Sequence, residues 1–208
     1  MRIGWLLGWA VPQAWFSGLA AEAFPLAGHS FEGARPGAVG RLAEQGPFDW
    51  VAGYSLGSLL LLSEPELAAR AGRRVALLSP IFAFPKEALD GGRISRAEIR
   101  LLSRRLGADR AAALRGFYSL SGLDAPADGA GEEADLRWGL ERLEALAVPP
   151  RLPEGWRAWC GSEDRLLDAQ RLREIEPRIS VVAGAGHHPL ALMRALAAQA
   201  GPDGAQEP

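Results

Sequence analysis

The chain of 208 residues is long enough for one well-buried domain and too short for two ordinary ones. Apolar residues make up 48% and charged residues 23%, which excludes a disordered or fibrous chain. A formal net charge of −2 gives no global field toward nucleic acid or a membrane surface. Cys160, the only cysteine, excludes an intramolecular disulfide and suits a reducing compartment. Lys86 is the only lysine, and with the abundance of Ala and Gly this reads as composition bias without functional content.

Short apolar runs alternate with helical patterns, the signature of a parallel sheet wrapped by helices. The first run, 3–7, reads as a strand, followed by a helix over 12–20. An alternative reading makes 1–23 a secretory signal ending at Ala21-Glu22-Ala23. Gly4, Gly8, Pro12 and Gln13 interrupt its apolar run, and Arg2 alone is a weak basic start. A weaker strand over 26–31 precedes a helix over 37–44. Strands over 50–54 and 75–79 flank a helix over 56–71. Later come strands over 156–160 and 179–183, with helices over 166–174 and 189–198.

Between 85 and 153 the rhythm breaks into helices. Ser95 with Glu98 forms a capping box for the first, which runs to about Leu106 with an apolar stripe of Ile99, Leu102 and Leu106. A second is expected over 109–120 and a third over 133–146. Residues 1–84 and 154–200 thus form a core, 85–153 a helical cap over the site, and 201–208 a disordered tail. Residues 91–115 carry seven arginines, and residues 124–144 carry seven acids. The two halves of the cap either neutralise each other or leave a basic stripe exposed. Arg96, Arg100 and Arg104 recur every four residues on one helix face, and Arg110 and Arg115 extend the stripe.

Gly53-Tyr54-Ser55-Leu56-Gly57 is a G-x-S-x-G motif between a buried strand and a buried helix. That context turns the chain sharply and exposes a strained serine nucleophile. A serine hydroxyl needs a base. Of His29, His187 and His188, the chain order nucleophile, acid, histidine favours the late pair. His187 follows Gly184-Ala185-Gly186 in a post-strand loop and is favoured as base. His188, just before Pro189, reads as structural, and His29 as a loop histidine. The acid that orients the imidazole is Asp164, in the loop after the 156–160 strand, with Glu163 and Asp168 as rivals. The oxyanion is expected at the backbone N–H groups of Leu56 and Trp9. No metal-ligand cluster, phosphate loop or nucleotide fingerprint is visible, so no cofactor is expected.

The sequence resembles the α/β-hydrolases that demethylate pimeloyl-acyl-carrier-protein methyl ester in biotin synthesis. The likeness spans Leu6-Leu7-Gly8-Trp9, the elbow, Ser79-Pro80-Ile81-Phe82, Phe117-Tyr118-Ser119-Leu120-Ser121, Gly139-Leu140-Glu141-Arg142-Leu143, Gly161–Asp164 and His187-His188-Pro189. The elbow is shared across the superfamily, whereas the two cap segments point to substrate. The resemblance implies an α/β-hydrolase fold and a serine carboxylesterase with Ser55, Asp164 and His187 as triad. It implies Trp9 and Leu56 at the oxyanion, and Trp9 with Phe117, Tyr118, Ser119, Leu120 and Ser121 along the acyl channel. Arg96, Arg100, Arg104, Arg110 and Arg115 would receive an acidic acyl-carrier protein. The expected molecule is a cytoplasmic monomer with a minimal, mostly parallel sheet of about six strands. The family's opening hairpin is missing, and Leu7 stands where a histidine commonly precedes the turn glycine.

Overall fold

The computed structural model describes residues 1–200; the tail expected to be disordered, 201–208, lies outside the described residues. Six strands form one sheet: β1 (Arg2–Leu6), β2 (Gly28–Glu32), β3 (Phe48–Tyr54), β4 (Gly72–Leu78), β5 (Arg157–Gly161) and β6 (Ile179–Val182). The order is β2-β1-β3-β4-β5-β6, and every pair is parallel.

Side chains alternate across each strand, so both faces need cover. Ile3, Trp5, Trp50, Ala52, Tyr54, Leu78 and Trp159 fill one face. There they pack on Phe16 and Ala20 of α1 (Gln13–Ala23) and on Leu192, Met193 and Leu196 of α9 (Pro189–Ala200). Leu6, Val51, Val75, Leu77 and Cys160 fill the other. Helices α2 (Ala38–Gln45), α3 (Leu56–Ser63), α4 (Pro65–Ala71) and α8 (Ala169–Ile175) lie on that side. Residues 1–23 therefore include the interior strand β1 and the core helix α1, with Trp5 and Phe16 wholly buried.

Three helices lie between β4 and β5: α5 (Arg96–Ala108), α6 (Arg110–Ser121) and α7 (Glu133–Ala145). Ser95 and Glu98 form the capping box of α5, and Asp109 caps α6 through the Ala112 N–H. The two ends of the insertion are stitched together where Ala83 bridges Ala147 and the Val148 N–H donates to the Phe82 carbonyl. Ile99, Leu106, Leu114, Leu136 and Leu140 then join the same apolar cluster as α3.

Three expectations change. The helix expected over 56–71 is two, because Pro65 has no N–H to donate and pushes Glu64 out of the helical region (φ −132°, ψ 57°). The helix expected from 166 starts at Ala169, since 166–168 bridge instead to the 91–93 loop: the Leu166 carbonyl accepts from the Arg93 N–H and the Asp168 N–H donates to the Gly91 carbonyl. His29 lies within the edge strand β2, where its Nδ1 accepts from the Trp5 indole N–H at 3.1 Å. Among the described residues, no helix is long and apolar enough to cross a membrane.

Candidate active site

Three residues from separate loops meet at the carboxyl edge of the sheet. Ser55 follows β3, Asp164 follows β5 and His187 follows β6. Ser55 has φ 54° and ψ −117°, a strained non-glycine conformation. The surroundings impose it. Its N–H donates to the Leu78 carbonyl, and α3 runs so close to β1 that a Cβ at Gly57 would sit 2.1 Å from the Leu6 carbonyl oxygen. A Cβ at Gly53 would meet the Gly57 carbonyl oxygen at 2.8 Å, so both motif glycines are required by close approach.

His187 Nε2 lies 3.0 Å from Ser55 Oγ, and its Nδ1 lies 2.7 Å from Asp164 Oδ2. All three side chains are buried, Ser55 being 7% exposed. The Asp164 carboxylate accepts from four donors: His187, Ser79 Oγ at 3.2 Å, and the N–H groups of Leu166 at 2.8 Å and Leu167 at 3.0 Å. Burial pushes this carboxyl up, but His187 and the two backbone N–H groups outweigh it and hold the group below its ordinary value. Asp164, being ionised, accepts a hydrogen bond from the Nδ1–H of His187 and so leaves Nε2 free to accept from Ser55.

The turn after β1 lies against the nucleophile, since a Cβ at Gly8 would sit 3.2 Å from Ser55 Cβ. Among the described residues, neither the Trp9 nor the Leu56 backbone N–H has a protein acceptor. The cap holds this turn. Tyr118 Oη donates to the Ala10 carbonyl at 2.6 Å, and the Trp9 indole N–H donates to the Leu136 carbonyl at 2.7 Å. Gly139 lets α7 descend onto the pair: a Cβ there would lie 2.5 Å from the Trp9 ring and 3.2 Å from the Leu56 side chain. Leu7 is buried, its N–H bound to the Glu32 carbonyl, so cap side chains order a turn that carries no histidine.

Of the expected channel residues, Trp9, Phe117 and Leu120 line a cavity beneath the cap. Tyr118, Ser119 and Ser121 do not line it, because positions three apart on α6 share a face and their neighbours turn away. Tyr118 points to Ala10, Ser119 is exposed, and Ser121 Oγ returns to the Phe117 carbonyl. The rival residues stand apart. His188 contacts Asp124 at 3.2 Å and accepts the Leu190 N–H, Asp168 caps α8, and Glu163 is exposed.

Two contributors escaped the sequence reading. Tyr54 Oη donates to the His187 carbonyl at 2.8 Å, with the rings 5.4 Å apart. Burial raises its phenol well above the ordinary value, as does the nearby Asp164 charge. Ser79, with φ 51°, holds Asp164 from the end of β4. Tyr54 is the variable residue before the nucleophile, and Ser79 follows an apolar strand. Neither position carries a signal without the fold. Among the described residues no group of three His, Cys, Asp or Glu side chains could hold a metal.

No protein-family model matches the chain, and no curated protein matches it in sequence. Solved structures do. An esterase from Exiguobacterium antarcticum superposes with a TM-score of 0.75 at 12% identity, covering 95% of this chain and 91% of that one. A hydrolase from Oleispira antarctica gives 0.62 at 10% identity, covering 95% and 86%. A thermophilic esterase from Thermogutta terrifontis gives 0.58 at 12% identity, covering 94% and 88%. At such identities the likeness is one of architecture, and with the six-stranded parallel sheet it establishes that the chain has the α/β-hydrolase fold.

Proposed function

We propose that the protein is a serine carboxylesterase with Ser55 as nucleophile, His187 as general base and Asp164 as orienting acid. The observation that carries this reading is the continuous line Asp164 Oδ2, His187 Nδ1, His187 Nε2, Ser55 Oγ, with steps of 2.7 and 3.0 Å. Ser55 Oγ attacks the ester carbonyl while Nε2 takes its proton, then returns that proton to the departing alcohol. The Trp9 and Leu56 N–H groups receive the oxyanion. Water activated by the same imidazole releases the acid. The esterases among the structural neighbours support the choice of ester bonds.

The finer reading is a cytoplasmic monomer acting on the methyl ester of a carrier-bound acyl chain, pimeloyl-acyl-carrier-protein methyl ester in biotin synthesis. Its support is the resemblance in the two cap segments, together with exposed arginines on the cap. The stripe is partly covered. Arg100 pairs with Glu144 of the acidic half at 2.6 Å, and the Arg110 guanidinium donates to the Gly131 carbonyl. Arg96, Arg104 and Arg115 are exposed with no ion pair among the described residues. They are the better carrier contacts.

Turnover of p-nitrophenyl butyrate by the purified chain, abolished in Ser55→Ala, tests the esterase reading. The carrier reading predicts a higher kcat/KM for the carrier-linked methyl ester than for free monomethyl pimelate, an advantage that added salt erodes. Arg96→Glu with Arg104→Glu should raise KM for the carrier-linked ester alone. Equal kcat/KM on both substrates rejects the carrier while leaving the esterase intact.

A further inference from the structure

A cavity of about 260 Å³ lies under the cap helices α5 and α6. Trp9, Phe84, Leu140 and Leu166 are among its apolar walls. None of Ser55, Asp164 and His187 lines it, but two of its wall residues adjoin them. Trp9 belongs to the turn beside Ser55, and the Leu166 N–H is bound to Asp164. At the surface the rim carries Leu101, 38% exposed, and Leu120, 46% exposed.

Two charged side chains line the cavity, Glu98 and Arg105. Glu98 is committed to the α5 cap, accepting from the Ser95 N–H at 2.8 Å and Ser95 Oγ at 2.6 Å. Those bonds keep its carboxyl below the ordinary value, so it is an anion. Arg105 is exposed at the rim, and among the described residues it has no ion pair. Seven residues of helix separate the two, about 10 Å along the axis. The cavity is thus apolar in body, anionic at one point of its edge and cationic at another.

We propose that this cavity binds an apolar chain ending in a carboxylate, the chain lying between α5 and α6 and the carboxylate on the Arg105 guanidinium. Chain and exposed leucines leave water together. The planar guanidinium takes a carboxylate with two parallel N–H donors, and Glu98 disfavours the reversed orientation. Combined with the reading of Ser55 as nucleophile, on which this extension rests, the preferred esters among those without a carrier are ones whose acyl chain carries a free carboxylate at its far end.

Calorimetric titration of Ser55→Ala with octanoate and with octanamide tests the site without any turnover. Octanoate should bind about fivefold more tightly than octanamide, the scale of a partly exposed ion pair. Adding Arg105→Gln should remove that difference. Gly116 lines the cavity, and a Cβ placed there meets nothing within 4 Å, so Gly116→Leu adds an apolar side chain where its first atom has open space. Combined with Ser55→Ala, it should weaken both ligands by at least about tenfold. The proposal is overturned by equal affinity for the two ligands, by a preference that survives Arg105→Gln, or by no binding of octanoate. p-Nitrophenyl butyrate turnover by the unmodified protein reports separately on the esterase reading, because that ester has no second carboxylate.

Discussion

Asp164→Asn separates the charge and hydrogen-bonding role of this side chain from its shape. Four donors share two oxygens: Leu166 and Leu167 use Oδ1, while His187 and Ser79 use Oδ2. An asparagine amide must put its oxygen toward the two backbone N–H groups, because its NH₂ cannot accept from them. The NH₂ then faces His187 Nδ1 and donates to it. That selects the tautomer protonated on Nε2, the atom 3.0 Å from Ser55 Oγ, which can no longer take the serine proton. A fall in kcat of about 10⁴ is expected, equivalent to about 5.5 kcal/mol of lost transition-state stabilisation. KM should change by less than about threefold, since the substrate does not touch Asp164. The assay is p-nitrophenyl butyrate hydrolysis, with thermal unfolding to show that the variant folds. Asp168→Asn is the control: Asp168 caps α8 through the Arg171 N–H at 3.0 Å, a bond asparagine makes equally well. A folded Asp164→Asn enzyme with kcat within about tenfold of the parent would refute the tautomer argument.

His187→Ala should match Ser55→Ala in lost kcat, because the residues act as a unit, whereas His188→Ala should chiefly cost about 1 kcal/mol in a urea melt. Tyr54→Phe strips the hydroxyl from the His187 carbonyl; kcat should fall about tenfold at unchanged KM, with about 1–2 kcal/mol lost in stability. A loss of stability at full kcat would make Tyr54 a packing residue. Glu176, held at about 2 chiefly by its bond to Arg178, contributes stability that is present above its ordinary value of 4.5 and is lost as pH falls toward 2. Glu176→Gln should remove that contribution, so unfolding measured across this window should lose part of its pH dependence.

How far the fold and site could be read depended on whether a feature was local. Strands β1, β3, β4, β5 and β6 announced themselves as apolar runs, most clearly the inner four, because strands covered on both faces leave little polar alternation to obscure them, whereas the edge strand β2, Gly-His-Ser-Phe-Glu, reads weakly. Ser55, Asp164 and His187 could be singled out because each directly follows such a run, and parallel strands bring all their carboxyl ends to one edge. The break at Pro65 was equally local, and the long apolar stretch of Leu59 to Leu62 obscured it. Contacts made across the chain left no trace. Tyr54 reaches His187 over 133 positions, and Tyr118 reaches Ala10 over 108. The cap stretch 117–121 could be placed near the site from its resemblance, but a helix turns only some of those side chains inward. Which arginines of the basic stripe are paired was open for the same reason, since the partner of Arg100 is Glu144, 44 residues on.

The central claim is that Ser55 is made nucleophilic by His187 and Asp164. A fluorophosphonate reacts with such a serine and forms a stable phosphonyl ester. Intact-mass measurement of the treated protein, followed by peptide mapping, is the most direct test. One adduct per chain is predicted, on the peptide containing Ser55, abolished in Ser55→Ala and strongly slowed in His187→Ala. No adduct, or an adduct at another serine at an undiminished rate in Ser55→Ala, would contradict the account.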